Sequence, residues 1–332
     1  GRGGARAGAR APHGSTVIRA AAAALVALAP ALAHADVSAA IDALWDYDRP
    51  AVSEARFRAK LASSPRGSRE ALELETQVAR AQGLQRRFDA AHATLDAVAP
   101  ALATAAPRVH VRYLLERGRA HNSSGAPAKA VPLFEEAVRR AGADPDEGAE
   151  FYAIDAMHML GIAAPADERL PWNLKALDAA ERARDPRARG WRASLLNNLG
   201  WTAFEAGEAS VALDYWQRAL AAREEGDDAQ RIRVARWTVA RGLRAVGRLD
   251  EAERIQLALA AEFERGGAAD GYVFEELYEI ALARGDGAAA RAWAARAYAE
   301  LAKDPALAGN EPAAIVHGDA FRNPGDRTNQ CK

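Results

Sequence analysis

The sequence has 332 residues, of which 49% are hydrophobic and 27% are charged. Such a chain has ample apolar surface for a folded core, and its alanine richness favours helices over strands. The formal net charge of -1 excludes a strong overall attraction to nucleic acid, and the one cysteine, Cys331, excludes an intramolecular disulfide framework and a multi-thiolate metal site.

The N-terminal segment has the pattern of an export signal. Residues 1–35 carry four arginines and no acidic residue, with an apolar run at 20–29 and the small-residue site Ala33-His34-Ala35. The apolar run is far shorter than the roughly 20 residues that span a bilayer, so we expect no stable membrane span in the mature chain. The pattern predicts a cleavable signal peptide and a periplasmic or secreted protein. An organelle transit peptide and a disordered leader on a cytoplasmic protein are the alternatives.

From residue 36 onward the sequence repeats one pattern of small and large residues. The pattern is clearest in 195–219, where Gly200 indicates a close contact between two helices and Gly207 indicates the turn after the first helix. Ala212, Trp216 and Ala219 then recur at i, i+4 and i+7, which places them on one buried face of the second helix. This stretch therefore predicts a closely packed helical hairpin.

Taken in chain order, the small position of the second helix recurs at intervals near 40 residues. The first two hairpins are predicted at 36–45 with 50–61 and at 70–84 with 87–98. The seven small positions are Ser53, Ala91, Ala130, Leu170, Ala212, Ala252 and Ala290, at intervals of 38, 39, 40, 42, 40 and 38 residues. The pattern thus predicts seven hairpins over 36–305, followed by a short cap and a loose tail at 306–332.

The fourth hairpin departs from the pattern. Its aligned positions are His158 for the close contact and Leu170 for the small residue, with Pro165 and Pro171 nearby. Asp155 lies three residues before His158 on one helical face, a spacing that orients an imidazole or supplies two metal ligands. A buried histidine bonded to the neighbouring carboxylate is the commoner arrangement. A metal-assisted enzyme at these two residues remains as an alternative.

With these residues the chain resembles tetratricopeptide-repeat (TPR) proteins of the exported bacterial type, whose signature has Leu-Gly, a turn glycine, and then alanine, an aromatic residue and alanine. The resemblance implies an all-α fold, a right-handed α-solenoid of about seven antiparallel helical hairpins. The period exceeds the roughly 34 residues of the ordinary repeat, which predicts longer helices or longer links. The repeat region contains no Walker loop, GxSxG elbow, HExxH pair or GxGxxG turn. We therefore expect no enzymatic activity, no cofactor and no metal.

The resemblance also implies that positions 2, 5, 6, 9 and 12 of each repeat unit, which lie on its first helix, face a concave groove. An asparagine amide bonds both the N–H and the C=O of an extended peptide, a tryptophan offers flat apolar area, and an arginine binds a carboxylate in two places. The predicted groove residues are Arg119, Asp155, Asn197, Asn198, Trp201, Trp237, Arg241, Arg244, Glu275 and Glu279. We therefore predict a protein-protein interaction scaffold that binds a peptide or partner protein in this groove.

Several of these residues also have simpler explanations. Trp201 and Trp237 can fill the interface between neighbouring hairpins, since aromatic residues at helical spacing are most often core. The charged residues can form a solvated face or bridge neighbouring hairpins. The family's carboxylate clamp uses lysine and asparagine near position 6 of successive repeats, and only Asn198 matches it. A structural assembly subunit that uses its convex face is the alternative function.

Overall fold

The computed structural model describes residues 37–38, 40–143 and 148–303. The described residues form helices joined by turns and contain no strand. The predicted signal segment 1–35, the predicted tail 306–332 and Cys331 lie outside the described residues. Among the helices of these ranges, none combines the length and the apolar character that crossing a membrane requires.

After the helical residues 37–38 and 40–42, helices follow one another within the described ranges 50–143 and 148–301. A 3-10 turn at Ala99–Ala103 follows the third of them. The helices are α1 (Pro50–Ser63), α2 (Arg69–Leu84), α3 (Phe88–Val98), α4 (Pro107–Ser123), α5 (Pro127–Ala143), α6 (Ala149–Ala163), α7 (Ala166–Arg182), α8 (Pro186–Arg189), α9 (Trp191–Glu205), α10 (Ala209–Glu224), α11 (Ala229–Ala245), α12 (Leu249–Arg265), α13 (Gly271–Ala283) and α14 (Gly287–Leu301).

The chain folds into two compact units, one ending at Ala120 and the other beginning at His121. In the first unit, α2 packs against both α1 and α3. In the second unit, the hairpins α6–α7, α9–α10, α11–α12 and α13–α14 follow one another, and each packs on the next. The predicted all-α fold of consecutive helical hairpins is confirmed.

Trp216 holds the close contact between α9 and α10 that the sequence predicts. Its side chain is fully buried, and its Nε1–H donates to the carbonyl oxygen of Asn197 at 3.3 Å. A Cβ added to Gly200 would lie 2.3 Å from this Nε1, and a Cβ added to Gly242 would lie 3.0 Å from the indole Cε3. The ring therefore fits between two first helices only because both positions are glycine. Gly207, at φ 80°, ends α9 in the left-handed conformation that glycine favours.

Each unit has its own apolar core. In the first unit, Phe57 and Leu74 lie in a small cluster with Ile41 and Val78. In the second unit, a larger cluster runs through the last three hairpins and includes both predicted groove tryptophans. Six of the seven predicted small positions are at most 3% exposed: Ser53, Ala91, Ala130, Ala212, Ala252 and Ala290.

The fourth hairpin is shifted by three residues from its predicted register. Leu170 is 44% exposed, so it does not occupy the small buried position. Gly161 makes the close contact instead of His158, because a Cβ there would lie 2.4 Å from Oδ1 of Asn173. Asn173 follows Gly161 by twelve residues, the spacing from Gly200 to Ala212. The predictions for Leu170 and His158 are therefore wrong.

The shift has a physical reason. The small buried position of the second helix, which is alanine in most hairpins, is occupied here by the amide of Asn173. Asn173 is 7% exposed, and its Nδ2 donates to the carbonyl oxygens of Gly161 at 3.3 Å and Arg169 at 3.1 Å. These two bonds make burial of the amide nitrogen acceptable. The interval from Ala130 is 43 residues, longer than the interval that a regular period near 40 predicts.

Candidate binding surface on the first helices

The first helices of the last three hairpins, α9, α11 and α13, are joined by side-chain contacts into one layer. The Nε1–H of Trp237 in α11 donates to the carbonyl oxygen of Tyr272 in α13 at 3.0 Å. The guanidinium carbon of Arg241 in α11 lies 5.8 Å from the ring centroid of Trp201 in α9. We call this layer the first-helix surface. It brings together eight of the ten predicted groove residues: Asn197, Asn198, Trp201, Trp237, Arg241, Arg244, Glu275 and Glu279.

Three aromatic rings surround Arg241. Its guanidinium carbon lies 5.8, 5.6 and 5.5 Å from the ring centroids of Trp201, Phe204 and Trp237. A cation held near aromatic faces at these distances is attracted by about 0.5–2 kcal/mol, depending on its exposure to water. Trp201 and Trp237 are themselves buried in the core, as their simpler explanation predicted. The two tryptophans therefore pack the hairpins together and also fix the position of Arg241.

Arg244 links α11 to α13 through a buried carboxylate. Its Nε and Nη2 donate to the two carboxylate oxygens of Glu276 at 2.5 and 3.3 Å. Nη1 of Arg241 lies 3.6 Å from Oε2 of Glu276, and Nη1 of Arg244 lies 3.7 Å from Oε2 of Glu279. Because Glu276 is only 1% exposed, these charges bridge neighbouring hairpins and do not form a solvated face.

Glu275 is the remaining acid of the first-helix surface. The residue is 5% exposed, and in the part of the chain that the structure describes its carboxylate forms neither an ion pair nor a hydrogen bond. Burial raises the pKa of Glu275 to about 7, and the attraction of Arg241 only partly opposes this effect. The charges of Glu276 and Glu279 act in the same direction as burial and are included in this value. The carboxyl group is therefore partly protonated near neutral pH.

Asn197 and Asn198 lie half-buried on α9. Their backbone carbonyl oxygens accept from Nε1 of Trp216 at 3.3 Å and from Oγ1 of Thr202 at 3.1 Å. Their side-chain amides make no hydrogen bond to any residue of the described ranges. Asn197 and Trp201 are four residues apart, so they share one helix face. Two amides thus retain their donors and acceptors for another molecule.

Two predicted residues lie outside the first-helix surface. Arg119 is in the first unit, where its Nη1 donates to Oε1 of Glu116 at 2.8 Å. Asp155 is buried in α6. His158, predicted beside it as a possible ligand, is also buried, and its ring centroid lies 5.1 Å from that of Trp191. Within the residues that the structure describes, no group of three or more His, Cys, Asp or Glu is placed to hold a metal ion.

The first unit contains a buried polar cluster that the predicted site left out. The carboxylate of Glu73 accepts from Ser38, Arg69 and Arg112 at 3.0, 2.8 and 2.9 Å, and Arg112 also donates to Asp42 at 2.7 Å. Burial alone raises the pKa of Glu73, but the charges of Arg112 and Arg69 outweigh it and hold the pKa below its usual value. Ser38 and Asp42 occupy groove positions of the first repeat unit, and Glu73 occupies one of the second. The rule for groove positions would have found all three if it had been applied to the first two hairpins.

Comparisons with known proteins show the same fold. No protein-family model matches the sequence, and no curated protein is similar to it in sequence. The crystal structure of RapI in its apo form is 10% identical, with a TM-score of 0.65, and the match covers 88% of this chain and 85% of RapI. PilW, described as a widely conserved type IV pilus biogenesis factor, is 17% identical, with a TM-score of 0.50 over 70% of this chain and 95% of PilW. PilF of Pseudomonas aeruginosa is 12% identical, with a TM-score of 0.50 over 71% of this chain and 95% of PilF.

At these identities the similarity concerns the fold. The glycine, alanine and aromatic positions of the fifth hairpin pack as the repeat pattern requires, and the consecutive hairpins superpose on solved repeat proteins. The chain therefore has a fold of the tetratricopeptide-repeat type.

Proposed function

We propose that the protein is a non-catalytic scaffold that binds a peptide or a partner protein on the first-helix surface. The supporting observation is the pair of unengaged amides at Asn197 and Asn198, one helical turn from Trp201. Burying such amides without a partner costs about 1–3 kcal/mol each, so their exposure to a partner is the more favourable arrangement. Repeat proteins of this kind use the surfaces of their stacked hairpins for binding.

The chemistry of these side chains suits an extended peptide. An asparagine amide both donates and accepts, so it can pair with the N–H and the C=O of one peptide unit. The Arg241 side chain is 20% exposed, so the outer nitrogens of its guanidinium can donate to a peptide carbonyl or carboxylate, although its Nε is buried. Since three rings already hold Arg241 in place, little side-chain entropy is lost when the arginine binds.

We also propose that binding occurs in the periplasm or outside the cell. The support is the arginine-flanked apolar run before Ala33-His34-Ala35, which has the order of a cleavable signal. Mass spectrometry of the mature protein tests this proposal. An exported protein that retains residues 1–35 would contradict the predicted cleavage, and a protein found only in the cytoplasm or an organelle would contradict the location.

The binding proposal is tested with peptides selected from a random library on the wild-type protein. Asn198→Ala and Arg241→Ala should each weaken binding by about 1–3 kcal/mol in isothermal titration calorimetry, because a bond to a partly desolvated group is lost. Gln217→Ala and Arg218→Ala are the controls, since both residues are exposed on α10. Circular dichroism checks that all four variants keep their helicity.

The controls also separate the alternatives. If the α10 variants abolish binding and the α9 and α11 variants do not, the first-helix surface is not the binding site. The assembly role through the opposite face would then replace the proposal.

A further inference from the structure

The group of charged side chains around Glu275 on the first-helix surface contains three acids, Glu275, Glu276 and Glu279, and two bases, Arg241 and Arg244. Arg244 engages Glu276 through two hydrogen bonds and contacts Glu279, and Arg241 also contacts Glu276. The ion pairs of both bases are therefore made with Glu276 and Glu279. The third acid, Glu275, is left without an ion pair or hydrogen bond among the described residues although it is nearly buried.

We propose that Glu275 is the carboxylate that recognises a cationic side chain, a lysine or an arginine, of the bound peptide. This inference rests on the proposed function and adds to it the chemical class of one partner residue. A lysine ammonium or arginine guanidinium would give Glu275 the charge-assisted hydrogen bonds that the protein itself does not supply.

The position of Glu275 fits this role. It follows Tyr272 by three residues on α13, and the carbonyl oxygen of Tyr272 is the group that holds the indole of Trp237. The aliphatic stem of a lysine or an arginine packs well against aromatic and apolar surface while its charged end reaches a polar group. Trp237 and Glu275 occupy the same position, the fifth, of successive repeat units, so they offer an apolar and an anionic contact on neighbouring first helices.

An acidic partner residue at Glu275 fits poorly. Two carboxylates, Glu276 and Glu279, repel a negative charge at Glu275 from its own helix, and Arg241 and Arg244 on α11 attract it. A further negative charge would meet a cluster of three acids and two bases around Glu275. Like charges brought together in a partly desolvated site repel strongly.

Proton release should accompany the binding of a cationic residue. The pKa of Glu275 near 7 means that the unbound site carries a proton for part of the time at neutral pH. A bound cation favours the ionised carboxylate, so the peptide competes with this proton. The affinity for a basic peptide should therefore rise from about pH 6 to about pH 8.

The test is a double-mutant cycle on a selected peptide and the full protein. In the peptide, each basic residue in turn is replaced by norleucine, which keeps the aliphatic stem and removes the charge. In the protein, Glu275→Gln removes the charge and keeps the shape, and Glu264→Gln on α12 is the control with the same charge change on an exposed residue.

We expect one norleucine replacement and Glu275→Gln each to weaken binding about tenfold, and the two together to weaken it no further. The rise in affinity between about pH 6 and pH 8 should be lost in Glu275→Gln and kept in Glu264→Gln. Circular dichroism of Glu275→Gln establishes that the variant is folded, which we expect because the change removes a buried charge.

Two results would overturn the inference while leaving the proposed function intact. One is that the selected peptides lack basic residues although Asn198→Ala still weakens their binding. The other is that Glu275→Gln and every norleucine replacement act independently of each other. If Asn198→Ala and Arg241→Ala are both without effect, the proposed function itself fails and takes this inference with it.

Discussion

The Gly200→Ala variant tests whether Trp216 is enclosed between two first helices. The new Cβ would lie 2.3 Å from Nε1 of Trp216, more than 1 Å inside an ordinary contact of about 3.5 Å. The ring has little room to retreat toward α11, because a Cβ on Gly242 would already lie 3.0 Å from the indole. One methyl group must therefore displace a buried tryptophan or the helix that carries it.

The expected magnitude follows from three effects on the free energy of unfolding. Alanine favours the helix over glycine by about 1 kcal/mol. Overpacking costs about 1–3 kcal/mol, and a displaced indole also loses its bond to the carbonyl oxygen of Asn197, which costs about 0.5–1.5 kcal/mol. The net expectation is a destabilisation of roughly 0.5–3.5 kcal/mol.

Guanidinium unfolding followed by circular dichroism measures this change, because helices make up both units. Gly83→Ala is the matched control, since its added Cβ would have no neighbour within 4 Å in the helix α2. That control should raise stability by about 0.5–1 kcal/mol. A Gly200→Ala variant that is as stable as the Gly83→Ala variant would refute the packing around Trp216.

Three further predictions concern buried charges, and pH-dependent melts check all three. Arg244→Ala leaves Glu276 buried with only its 3.6 Å contact to Arg241, so stability should fall by about 2–4 kcal/mol and be partly restored by adding Glu276→Gln. Glu275 has a folded pKa of about 7 against a usual 4.5. Between these two pH values folding takes up a proton, so the free energy of unfolding falls as the pH rises from about 4.5 to about 7. Glu275→Gln should therefore raise stability at about pH 8 by up to roughly 3 kcal/mol. Glu73 has a lowered pKa, so its contribution is present above about pH 4.5 and lost as the pH falls through the folded pKa, a loss that Glu73→Gln should abolish.

The hairpins were predictable from sequence because their spacing depends on local geometry. Residues at positions i, i+4 and i+7 of a helix share one face whatever the rest of the chain does. In these hairpins the three positions hold a small, an aromatic and a small residue. Ala212, Trp216 and Ala219 are all buried as this rule requires. The fourth hairpin escaped the rule because Asn173 takes the alanine position, and its burial depends on the carbonyl oxygens of Gly161 and Arg169. A periodicity argument counts an asparagine as a surface residue.

Which charged residues form ion pairs was harder to predict, because their partners lie on other hairpins. Glu275 and Glu276 are adjacent in sequence and equally polar, and both occupy groove positions, the fifth and the sixth, of the last repeat. Glu276 is stabilised by Arg244, 32 residues earlier in the chain, and this contact exists only once two hairpins have stacked. No spacing within one helix indicates which acid a neighbouring arginine reaches.

Glu275 and Glu276 lie on one helix, but only Glu276 is hydrogen-bonded to an arginine of the neighbouring hairpin. A buried carboxylate without a partner destabilises the fold, because desolvation disfavours its charged form. Arg244 removes that penalty at Glu276 and thereby joins two hairpins. At Glu275 the penalty remains, as the raised pKa shows, and a glutamine of the same shape would avoid it. A binding site is where a protein keeps a group that is poorly satisfied in its own structure, because a partner then gains the interaction that the fold lacks. On this reasoning the stabilising effect of Glu275→Gln and its loss of affinity for a basic peptide have one cause, and an experiment that finds the first without the second would assign Glu275 to packing alone.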